Sequence, residues 1–156
     1  MSGNYTAKFE AVAITTAQDL FEVASAAAKP TVPISFDIGQ TSDFGDAQAE
    51  NLLVALRSGQ TTTGSGGTTV TPTNNDPGSG AAASAVVKAN NTTKASAGTI
   101  VTHRTFVWNV AIGLVEKFTQ EEQILMAAGR RFTLELVNAP VDALTVSGTI
   151  CFQEVG

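Results

Sequence analysis

From residue 132 to residue 152 apolar and polar side chains alternate on both sides of an Asn138-Ala139-Pro140 break. A period of two puts one face of each run against a core and the other in water, so this stretch predicts two strands joined by a short turn. Residues 32–39 repeat the pattern, with Val32, Ile34, Phe36 and Ile38 on one side and Ser35 and Asp37 on the other. Pro33 lacks an amide donor and belongs near the beginning of that strand or on a sheet edge. Phe106, Trp108, Val110, Ile112 and Leu114 alternate with Val107, Asn109, Ala111 and Gly113. They predict the longest strand, about 30 Å at the usual rise, placed centrally in its sheet.

Other segments carry a mixed signal. Residues 8–15 read as a strand with apolar residues on both faces. Residues 19–23 suit a strand, yet Leu20, Val23, Ala24 and Ala27 also fall at helical spacing, ended by Lys29-Pro30. Residues 51–57 are ambiguous in the same way, and residues 81–89 form a small apolar run that allows another strand. Thr119-Gln120-Glu121-Glu122 resembles a capping box ahead of Ile124, Leu125 and Met126, with Gly129 as a stop, which allows one short helix. Residues 1–6 read as a short arm. Residues 59–80 are nearly all Gly, Ser, Thr, Asn, Asp and Pro, with Val70 as the one large apolar residue; they read as a long surface loop between strands. With no βαβ rhythm, the expectation is a single domain over 1–156, all-β, an antiparallel two-sheet sandwich of jelly-roll or immunoglobulin type. The immunoglobulin pair of cysteines around a tryptophan is missing.

Composition narrows the partners. The 156 residues are 43% hydrophobic but only 15% charged, against roughly a quarter in soluble domains generally. A neutral surface of Thr, Ser, Asn and Ala suits packing against other subunits. A net charge of -5 opposes nucleic acid, whose phosphates need clustered Lys and Arg. Arg130-Arg131 is the short basic cluster and reads as solvated strand-edge charge. No apolar run nears the ~20 residues of a membrane span and no N-terminal signal pattern is visible, so the expected product is made in a cytoplasm and is soluble or assembled.

Candidate chemistry is sparse. Cys151 is the single cysteine and reads as inert packing between Thr149 and Gln153. His103 is the single histidine, and no Gly-x-Ser-x-Gly elbow supports a triad around it. Asp37, Asp43, Asp46 and Glu50 lack the spacing of a calcium loop. Gly64-Ser65-Gly66-Gly67 lacks the Lys-Ser/Thr of a phosphate loop. Asn90 and Asn91 begin glycosylation sequons that chance explains in Asn/Thr-rich text. Trp108 reads as core. The expectation is therefore no catalytic, cofactor-binding or metal residue, no cofactor and no enzyme.

Residues 51–67, residues 89–110 with Ala-Asn-Asn-Thr-Thr and Trp-Asn-Val, and residues 136–152 together resemble a family of small structural proteins of tailed bacteriophages and prophages. Members look like jelly-roll decoration, or cement, proteins on the outside of the head. The resemblance implies strand for residues 51–57, binding to the major capsid protein, self-association as a homotrimer, and a place on the outer capsid surface of the virion. Residues 116–129 depart from the Pro-rich connection expected of that family. Three other readings use a similar framework. A receptor- or glycan-binding jelly roll of a tail or fibre would need exposed aromatics, for which Tyr5 and Phe44 are the candidates. A metal-dependent β-helix-type enzyme would need a second histidine. A host-encoded interaction module is the third.

Overall fold

The computed structural model describes residues 3–41 and 50–156. Eleven strands form among them: β1 Gly3–Ile14, β2 Gln18–Ala24, β3 Thr31–Gln40, β4 Asn51–Thr62, β5 Thr68–Val70, β6 Thr73–Asn74, β7 Val86–Asn91, β8 Ser96–Asn109, β9 Leu114–Lys117, β10 Arg131–Leu136 and β11 Leu144–Glu154. They build two antiparallel sheets, ordered β6-β1-β11-β3-β9 and β5-β7-β2-β10-β4-β8. The protein is an all-β sandwich with jelly-roll-like topology.

That order has a simple origin. β1 pairs with β11, β2 with β10, β3 with β9 and β4 with β8, so the chain is one long hairpin closed between β4 and β8. Successive strands of each arm alternate between the two sheets, which rolls the hairpin up, and the contacts of β11 with β3 and of β10 with β4 seal the roll. β5, β6 and β7 are an insertion at the hairpin tip. β7 and then β5 extend one sheet beyond β2, and β6 extends the other beyond β1.

Period-two burial holds most strictly in β11, where Leu144, Val146, Gly148, Ile150, Phe152 and Glu154 face inward and the residues between them do not. The core joins Phe9, Phe21, Phe36, Trp108, Phe132 and Phe152 with Leu and Val residues from both sheets. Phe36 meets Phe106 edge-on, with ring centroids 5.2 Å apart. Pro33 sits third in β3, beyond the reach of β9 and beside a register shift against β11, where a missing donor breaks no ladder bond on the β9 side.

Several expectations change. The run 106–114 is not one central strand: β8 ends at Asn109, a turn follows, and β9 begins at Leu114 in the other sheet, so both lie at sheet edges. Residues 19–23 are strand rather than helix, as are residues 51–57. No helix forms among the described residues at 119–129. Glu122 does reach back to the Thr119 amide at 3.1 Å, as a capping box requires, but Met126 is drawn into a bridge with Thr31, their amides donating to each other's carbonyls at 2.8 and 2.9 Å. Gly3, Asn4, Tyr5 and Thr6 are not a free arm but paired residues of β1. The stretch 59–80 is not wholly loop, because it contains the end of β4 and all of β5 and β6.

Candidate functional site

The edge of the sandwich formed by β8 and β9 is the most distinctive surface. β8 closes one sheet and β9 the other, and a turn at residues 110–113 joins them. Ile100, Val101 and Val107 on β8, Ile112 in the turn and Val115 on β9 are all exposed; Val107, Ile112 and Val115 reach 69%, 70% and 75%. A strand edge offers unpaired amides and carbonyls that pair readily with another chain unless Lys, Pro or a covering segment blocks it. β8 carries neither Lys nor Pro. Its Arg104 is turned aside, bonding Glu122 at 2.5 Å and lying over the Phe118 ring. The bond from Arg104, with that from the Thr119 amide, holds the Glu122 carboxyl below the usual carboxylate range.

Beside this edge lies a cavity of about 640 Å³ with Ser58, Gly59, Thr99, His103, Leu125 and Met126 among its walls. Ser58 Oγ and His103 Nε2 are 2.7 Å apart, the separation of a nucleophile and its base. Among the described residues no carboxylate bonds the other ring nitrogen of His103, and the side chain is exposed. The pair therefore lacks the third group that would orient the imidazole for catalysis. The register shift beside it requires Gly59, whose φ is +94° and where a Cβ would strike the Thr99 carbonyl oxygen.

Alternation in the six-stranded sheet has a second consequence. Phe132, Leu134 and Leu136 of β10 point into the core, so Thr133 and Glu135 point to the opposite face, yet they are buried too. Gln60 and Arg57 of β4 and Lys94 of the insertion bond to them, and the insertion is fastened over this face by buried carboxylates. Glu22 accepts from Thr63 Oγ1 at 2.8 Å, the Gly64 amide at 2.9 Å, Asn91 Nδ2 at 2.8 Å and Arg131 Nη1 at 2.5 Å. Glu135 accepts from Arg57 Nη1 and Lys94 Nζ, both at 2.7 Å. Asp19 accepts from the Ala95 amide at 2.7 Å, while its Oδ1 has no partner. Burial pushes the Asp19 carboxyl up to about 7; the Ala95 bond opposes this, and the charges of Glu135 and Glu22 add to it. On the far side, the Ser84 and Ala85 amides donate to buried Glu154 at 2.6 Å each.

The remaining candidates fall elsewhere. Arg131 is no free surface charge, being the ion-pair partner of Glu22, whereas Arg130 stays exposed. Asp37 is exposed on β3 and Glu50 accepts from the Val141 amide at 3.1 Å; Asp43, Phe44 and Asp46 lie outside the described residues. Among the described residues no cluster of His, Cys, Asp and Glu suits a metal ion. Cys151 Sγ lies 3.3 Å from Thr6 Oγ1. Asn90 and Asn91 are buried, so neither sequon presents an accessible amide. The residues 64–67 run along Asn91 and Thr93 rather than opening a helix; Gly67 comes so close to β7 that a Cβ would strike the Ala89 carbonyl oxygen. Tyr5 is not an exposed aromatic but 2% accessible, stacked on Phe152, and no described aromatic residue is exposed.

No family model and no curated protein matches the chain. Among solved structures, it is similar to a chain in the structure of infectious bursal disease virus Gx strain, at 11% identity and a TM-score of 0.23 over 99% of this chain and 41% of that one. For the Gt strain of the same virus the values are 14%, 0.17, 99% and 40%. The chain thus spans about two-fifths of the length of those proteins. Scores this low carry no argument about function.

Proposed function

We propose that this chain is a virion structural protein that decorates and stabilises the outer surface of a tailed-bacteriophage head. It binds the major capsid protein and associates with itself as a homotrimer. The observation that carries the reading is the β8–β9 edge: a long, unblocked strand edge with exposed Val107, Ile112 and Val115, which is a surface built for another protein chain rather than for solvent. The resemblance of residues 51–67, 89–110 and 136–152 to phage decoration proteins supplies the identity of that partner. The low fraction of charged residues suits such adhesion, and many symmetric copies would add weak contacts into a firm coat.

Cryo-electron imaging of heads saturated with the purified protein tests this. Density for the sandwich is expected on the outer head surface at threefold positions, and Val107→Lys with Val115→Lys should lower its occupancy at least tenfold while leaving the melting temperature of the free protein unchanged. Density confined to the tail, or full occupancy by the double variant, refutes the reading.

A further inference from the structure

The layer beneath the insertion brings together groups that can react with one another as well as fasten the fold. Asp19 on β2 stands directly opposite Glu135 on β10 in the strand register, which brings their side chains into contact range. Lys94 Nζ donates to Glu135 Oε1 at 2.7 Å, and the amide of the next residue, Ala95, donates to Asp19 Oδ2 at 2.7 Å. Glu135 thus joins the two, holding the half-exposed Lys94 amine on one side and facing the Asp19 carboxyl on the other, with Asp19 1% and Glu135 4% accessible.

We infer that Lys94 and Asp19 condense spontaneously into an intramolecular isopeptide bond, with Glu135 as the group that moves the protons. Glu135 takes a proton from the Lys94 ammonium, and the freed amine adds to the Asp19 carboxyl carbon. The C–O bond to the acid hydroxyl then breaks and water departs, leaving one new C–N bond. Of the protons on the ammonium and the carboxylic acid, one stays on the amide nitrogen, two leave in the water and the last rests on Glu135. No oxidant, metal or cofactor enters, and the new carbonyl would lie at buried Asp19, where water has little access to reverse the step.

The assignment of roles follows from the surroundings. Only a neutral acid is a competent electrophile, and burial holds Asp19 in that form up to about pH 7. Glu135 accepts from Arg57 Nη1 and Lys94 Nζ, so one of its oxygens already sits on the amine from which a proton must be taken. Glu22 has both oxygens engaged by four donors, and its cation is an arginine, which cannot serve as nucleophile at this pH. Lys88 is turned away, donating to the Gly64 carbonyl at 3.0 Å. Asp19 Oδ1, buried and without a partner, is the oxygen placed to leave. The bond would lock the end of the insertion to β2 whether or not the protein decorates a head.

Intact-mass spectrometry of the full purified chain reads the outcome. The wild type is expected one water lighter than its sequence, with a branched peptide containing both Lys94 and Asp19, and Lys94→Arg should have the full mass. Glu135→Gln tests the proton carrier: with an unchanged β-sheet circular dichroism spectrum, it should form the cross-link at least a hundredfold more slowly. Folded wild type that keeps the full mass after days near neutral pH overturns the inference. So does a water loss mapped to other residues, or cross-linking of Glu135→Gln as fast as wild type.

Discussion

Trp108 is 1% accessible although its strand closes the sheet, and its indole N–H donates to the Ile112 carbonyl at 2.9 Å. The ring enters the core at the end of β8, beside half-buried Phe106, while the neighbouring Val107 on the outer face is bare. Trp108→Ala should cost about 3 to 5 kcal/mol by lost burial and cavity formation, read from the midpoint of urea unfolding; an unchanged midpoint would show that the indole contributes nothing. Its burial was legible from the alternation, whereas Ile112 of the same run is exposed because the strand ends at Asn109. The fates of Asp19, Glu22 and Glu135 were not legible. Glu22 and Glu135 stand at positions of the alternation that ordinarily face water, a register shift past Leu20 turns Asp19 to the same face, and the insertion folding back over it buries all three.

At the scale of elements, local signals yielded wherever a long-range partner competed. The turn at residues 119–122 formed as its capping residues specify, yet no helix followed, because the two amide bonds between Thr31 and Met126 fix the chain in extended form before a second turn can close. The insertion shows the reverse. Residues 59–80 lack core-forming residues apart from Val70 and read as loop, yet their beginning is ordered by hydrogen bonds to Glu22 on the sheet beneath. Deleting residues 63–67 should therefore destabilise the fold by about 2 to 4 kcal/mol, since Glu22 would lose two of its donors while staying partly buried. A change confined to residues 76–79, which are exposed, should stay within about 0.5 kcal/mol. Equal effects of the two changes on urea midpoints would refute the fastening role.

For the whole molecule, the buried acid makes stability depend on pH. Folding raises the Asp19 pKa from 3.8 to about 7, so the folded state holds this proton more tightly, and stability present at low pH is lost as pH rises through the folded value. Glu135, Glu22 and Lys94 are the charged groups that set the shift beside burial itself. In Lys94→Arg, where Asp19 must remain free, stability should fall by ~2 kcal/mol between about pH 5.5 and about pH 8, and adding Asp19→Asn should flatten that slope. A pH-independent Lys94→Arg would refute it. Alternation along residues 32–39, 132–136 and 144–152, which can bury one face only by stacking sheets, was enough to determine an all-β sandwich and the inward face of its clearest strands, while residues 51–57 became strand through their pairing with β8 and β10. The tertiary structure alone decided that the chain rolls as one hairpin, which turns the most regular apolar run into two exposed sheet edges, and that the polar insertion closes over charged residues. Both depend on pairings between residues far apart in the chain, and a pattern of period two records which face of a strand is buried but not which strand lies beside it.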